Sequence, residues 1–84
     1  MDKQEIENKL RLMIVDRLFL PMEPDEMDST ASLIDDYGVD SVNLLELVVG
    51  LEEEFGLALD GGDFNVAHFH SIAALRDFVA ARID

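Results

Sequence analysis

The stretch GVDSVNLLELVVGLEEEFG, residues 38–56, decides how the chain is read. Val42, Leu44, Leu45, Leu47, Val48, Val49, Leu51 and Phe55 recur at helical spacing, and glycines stand at both ends of the run. Asp40 or Ser41 is suited to accept the free amides of a first turn, and Gly56 to end the helix in a left-handed conformation. Leu44, Leu47 or Val48, Leu51 and Phe55 make one apolar stripe; Val42, Leu45 and Val49 make a second beside it. One face of ordinary width does not hold eight such residues. The helix is therefore central, or it keeps an apolar edge in water. Gly50, inside it, costs about 1 kcal/mol relative to alanine.

Before this stretch, Asp2 and Glu5 have the spacing of a capping box, and Ile6, Leu10, Met13 or Ile14, and Leu18 predict a first helix over Lys3 to Phe19. Pro21 and Pro24 stop it. The connection from Leu20 to Asp40 is long for a link between helices. Met27, Leu33, Ile34, Tyr37 and Val39 are its candidate anchors, with a short turn over Ser32 to Tyr37 and Gly38 at positive φ. Beyond the central helix, Asp60 to Asp63 reads as a turn and Phe64 to Phe69 as a short helix. Ser71 caps a last helix with Ile72, Leu75, Phe78, Val79 and Ile83 inward. No run alternates like a strand. The expectation is a single all-α domain over residues 1–84, a bundle of three main helices and one short one around one core.

The formal charge of −13 is unevenly laid out. No lysine or arginine lies between Leu18 and Leu75, a span holding thirteen acids; the two ends together carry six acids and six bases. Such a field repels nucleic acid and favours basic protein surfaces. No apolar run has membrane-spanning length, and the N-terminus lacks a signal peptide's pattern, so a cytoplasmic monomer without membrane insertion is expected. With no cysteine, the chain has neither disulfide nor thiol nucleophile of its own.

Four chemistries can be weighed. A hydrolytic Ser41 needs a base and an elbow such as GxSxG; the surroundings read VDSVN, and His68 and His70 are distant in sequence. A calcium loop from Asp60 fails, because its third position is Gly62 and its twelfth Ser71. His68 and His70, two residues apart, do not share a helical face, and no metal site is expected. Glu46, Glu53 and Glu54 as acid–base catalysts need burial, and a solvated acidic row is the plainer reading. The fourth is Ser41 as an attachment point. A hydroxyl at a helix start suits a phosphoryl-linked group, since free amides and the positive helix end offset its charge, although Asp40 opposes it. The residues alone leave Ser41 open as a cap or as an attachment point.

The span LIDDYGVDSVNLLELVVGLEEEFG, residues 33–56, resembles the centre of acyl carrier proteins, and the flanking helices extend the likeness over nearly the whole chain. Its most specific part is Asp40-Ser41 after Gly38, followed by Glu46, Leu47 and the run Glu52 to Phe55. The resemblance implies an acyl-carrier-like four-helix bundle with 4'-phosphopantetheine, delivered from coenzyme A by a phosphopantetheinyl transferase, joined covalently to Ser41. Its thiol, absent from the chain, holds acyl intermediates as thioesters for enzymes of fatty acid, lipid or polyketide synthesis. The carrier is not itself an enzyme. Asp40, Val42, Glu46, Val49 and Glu53 are implied to form the edge that meets basic docking surfaces on acyl-loading and acyl-processing enzymes. Leu44 and Leu47 are candidate linings of an acyl pocket. Val42 in place of leucine, Asn43 in place of an acid, and Tyr37 in place of leucine weaken the case for the housekeeping carrier of fatty acid synthesis and leave open a dedicated carrier for a polyketide, a modified lipid or an aminoacyl group. Two other readings are an unmodified acidic module that docks basic proteins and, more remotely, a small serine hydrolase.

Overall fold

A computed structural model of the chain describes residues 2–59 and 65–83. It contains four α-helices, α1 (Lys3–Leu18), α2 (Leu33–Tyr37), α3 (Ser41–Phe55) and α4 (Ile72–Arg82), with 3-10 turns at Pro24–Glu26 and Val66–Phe69. No strand occurs among the described residues. The all-α bundle expected from the periodicities is the architecture found. The predicted turn at Asp60–Asp63 and the first residue of the predicted short helix, Phe64, lie outside the described residues.

Local side-chain chemistry sets most of the boundaries. Asp2 accepts the Glu5 amide at 2.8 Å and Glu5 reaches back to the Asp2 amide, closing a capping box. Helix α1 ends one residue earlier than predicted, at Leu18, because Phe19 turns left-handed at φ 54°. Gly38 and Gly56, at φ 68° and 67°, end α2 and α3. Ser71 accepts the Ala74 amide and starts α4.

Helix α1 lies against both α3 and α4. Lys9 donates to the carbonyl of Glu54, while Arg17 pairs with Glu46, so α1 and α3 run antiparallel. The core joins Ile6, Leu10, Met13 and Ile14 of α1 to Leu44, Leu47 and Leu51 of α3 and to Ile72, Leu75, Phe78 and Val79 of α4. On the α1–α4 side, the buried carboxylate of Glu7 bridges Arg11 at 3.1 Å and Arg76 at 2.8 Å. Arg76 also pairs with Asp77, whose carboxyl it holds below the usual carboxylate range, with help from Lys3.

The long connection between α1 and α3 is pinned rather than loose. Met27, Leu33 and Val39 are buried. The Tyr37 hydroxyl accepts the Asp28 amide at 2.7 Å, the Leu33 amide donates to the His70 carbonyl, and the Ala73 amide donates to the Ser29 carbonyl. Ile34 is a correction to the predicted anchors: it is 41% exposed, on the outer side of a helix only five residues long.

Candidate functional site

The site grows from the start of α3. Asp40 sits in extended backbone as the N-cap, its Oδ1 accepting the Asn43 amide at 2.9 Å, and the Asn43 Oδ1 accepts the Asp40 amide at 3.2 Å. Asp40, not Ser41, is thus the cap, which resolves the choice between them. Asn43 has a local task as well: it completes a reciprocal box that satisfies two amides otherwise left open at a helix start. Ser41 is the first helical residue and is exposed. Among the described residues no imidazole or carboxylate hydrogen-bonds its hydroxyl, so no base is held against it.

Along α3 the two apolar stripes separate cleanly. Leu44, Leu47 and Leu51 are buried in the core, with Val48 and Phe55 packed at its margin. Val42, Leu45 and Val49 are 71%, 59% and 41% exposed. The apolar surplus of the sequence therefore leaves a ridge in water, running from beside Ser41 down the helix. Leu44 and Leu47, the candidate acyl linings, lie inside the packed core.

The acids of α3 are not left alone. Arg17 of α1 reaches across and places Nη1 2.9 Å from Glu46, Nε 3.0 Å from Glu54 and Nη2 3.7 Å from Glu53. Hydrogen bonds to Glu54 and then to Glu46 raise its pKa above the ordinary arginine value. The geometry explains Gly50. A Cβ there would fall 2.8 Å from the Met13 sulfur and 2.9 Å from Cδ and Nε of Arg17. Glu46, Gly50 and Glu54 are spaced four apart on one face. The guanidinium stem lies over the bare glycine with a glutamate on either side. The sequence reading missed Arg17; its only signal was a base in the last turn of α1, 29 and 37 residues from the partners it finds.

The histidines stand elsewhere. His68 stacks on Phe78 with ring centroids 4.6 Å apart, and the backbone carbonyl of His70 accepts from Leu33. No three metal-ligating side chains gather among the described residues. No helix among them is long and apolar enough to cross a membrane.

Comparison with known proteins bears on the same stretch. The family described as "Phosphopantetheine attachment site" matches residues 9–79. An acyl carrier protein of Nitratidesulfovibrio vulgaris (strain DP4) is 40% identical over 58 residues, 69% of this chain and 74% of that protein. One from Bdellovibrio bacteriovorus is 41% identical over 58 residues, 69% of this chain and 72% of that one. One from Afipia carboxidovorans is 44% identical over 52 residues, 62% and 63% of the two chains. With a match over most of its length and a helical bundle of the expected order, the chain belongs to the phosphopantetheine-attachment family, that of the acyl carrier proteins.

Proposed function

We propose that the chain is a non-catalytic carrier that takes 4'-phosphopantetheine on the Ser41 hydroxyl and presents acyl groups to enzymes of fatty acid, lipid or polyketide synthesis, in the cytoplasm. The observation that carries the proposal is an exposed serine hydroxyl at the first position of a capped helix whose outer edge is acidic and apolar. The surroundings of Ser41 suit a phosphodiester. The first-turn amides and the positive end of a 15-residue helix favour an anion, and the Asp40 carboxylate is already engaged by the Asn43 amide, which lessens its repulsion. The bound group would supply a flexible arm ending in a thiol, on which an acyl group is held as a thioester.

The remaining work falls to the chain's own residues. Asp40, Glu46 and Glu53 give a negative edge that draws basic surfaces of the transferase and the acyl-processing enzymes. Val42 and Val49, exposed beside them, give short-range contact once the surfaces meet. Charge then sets encounter and orientation while apolar burial holds the complex. Leu44 and Leu47 would line an acyl pocket only when the core parts, since both are packed in the free chain.

Intact mass spectrometry after incubation with coenzyme A and a broad-specificity phosphopantetheinyl transferase tests the proposal. The expected result is a gain of one phosphopantetheine on the wild type and none on Ser41→Ala. An unmodified wild type leaves an acidic docking module as the reading, and a gain that survives Ser41→Ala moves the attachment elsewhere.

A further inference from the structure

The acidic edge of α3 carries its own counter-cation. Arg17 comes from another helix, touches Glu46, Glu53 and Glu54 together, and is only 20% exposed along its side chain. Its stem occupies the place where a side chain at position 50 would stand, so the seat exists only because residue 50 is glycine. Two of the three carboxylates are held at hydrogen-bond distance, while Glu46 and Glu53 remain 45% and 61% exposed to an incoming partner. A basic partner that pairs with Glu46 or Glu53 thus meets carboxylates already shared with a guanidinium.

We propose that Arg17, seated over Gly50, is an internal competitor for the docking edge: it occupies Glu46 and Glu53 in the free chain, and basic partner enzymes bind by displacing it. The proposal rests on the carrier reading and on docking through α3. It makes Arg17 a residue that sets partner selectivity without being exposed enough to read as part of the surface. A partner presenting several cations in a row would displace the single guanidinium; a weakly basic one would not.

The test uses the full-length chain, coenzyme A and a broad-specificity phosphopantetheinyl transferase, with rates of modification measured against salt. Arg17→Gln keeps a polar side chain but is shorter and removes the charge. It is expected to raise the second-order rate about two- to fivefold at low ionic strength. The gain should vanish at roughly 1 M salt, where the screening length is about 3 Å. Gly50→Ala displaces the arginine without changing net charge and should raise the rate in the same direction. Lys3→Gln, which removes an equal charge at the far end of α1, is expected to stay within about 1.5-fold of wild type, because screening limits distant charges. Glu46→Gln should slow the wild type. Circular dichroism confirms that each variant is folded.

The outcomes separate. If Arg17→Gln and Gly50→Ala are folded and no faster than wild type while Glu46→Gln is slower, Arg17 is only a tie between helices and the inference is wrong. If Lys3→Gln accelerates as much as Arg17→Gln, net charge is responsible and the inference is again wrong. If Glu46→Gln equals wild type, docking through this edge fails, and the inference with it. An unmodified wild type removes the carrier reading itself and everything built on it.

Discussion

Asp40 has two tasks that a single substitution can pull apart. As a cap it accepts the Asn43 amide; as a charge it stands next to the proposed attachment point. Asp40→Asn keeps a good capping residue and loses only the charge, whereas Asp40→Ala loses both. The alanine variant should lose about 0.5–2 kcal/mol in urea unfolding while the asparagine variant stays within a few tenths of wild type. Both should be modified more slowly if the charge is read by the transferase. Asparagine modified at the wild-type rate would restrict Asp40 to its structural task. The caps were the most legible part of the sequence. Asp2, Gly38, Gly56 and Ser71 each act on backbone within a few residues, so type and spacing suffice to name them, whereas at the start of α3 the same signals left Asp40 and Ser41 both open. Arg17 was not legible for the opposite reason: its partners are assembled only when α1 and α3 pack side by side.

At the scale of the element, α3 divides into residues that hold the bundle and residues that leave it. Leu47→Ala empties volume in a closed core and should cost about 2–5 kcal/mol. Val42→Ala, on the exposed ridge, should change stability by less than about 0.5 kcal/mol. Chemical denaturation of the two variants side by side checks the division. A costly Val42→Ala would put the ridge into the fold and take it away from docking. The two stripes could be drawn from spacing alone, but which one faces the core depended on where α1 and α4 lie. The connection between α1 and α3 was legible in part. Its buried anchors Met27, Leu33 and Val39 announced themselves by being apolar in a polar stretch, whereas exposed Ile34 gave the same signal and the 3-10 turn at Pro24–Glu26 gave none.

For the whole molecule, charge is the term that packing does not cancel. Nineteen acids face six bases, and the ion pairs at Glu7, Asp77 and the Arg17 cluster already use Lys3, Arg11, Arg17 and Arg76. Added salt weakens those pairs and also screens the repulsion among the remaining acids. Repulsion involves many more charges, so it should dominate. The melting temperature is expected to rise between low and moderate salt, as followed by circular dichroism. A melting temperature that falls would mean that the ion pairs outweigh the repulsion. Only the size of the imbalance was evident in the sequence. That Lys9, Arg11, Arg17 and Arg76 lie where α1 meets its neighbours required the fold.

The bare face of Gly50 also constrains how this chain can change. A side chain at position 50 and the extended arginine at position 17 claim the same volume, so neither position is free while the other stands. Their substitutions are coupled and their order matters. Shortening residue 17 first uncovers acids and leaves the Met13 sulfur as the close neighbour of a side chain at 50. Filling position 50 first forces a buried sulfur and a guanidinium stem aside at once. The easier route to an alanine at 50, and to the better helix former it brings, therefore runs through an intermediate in which Glu46 and Glu54 have already lost their guanidinium partner. Helix propensity in α3 and the ion pairing of its outer acids are, in this chain, one mutational decision.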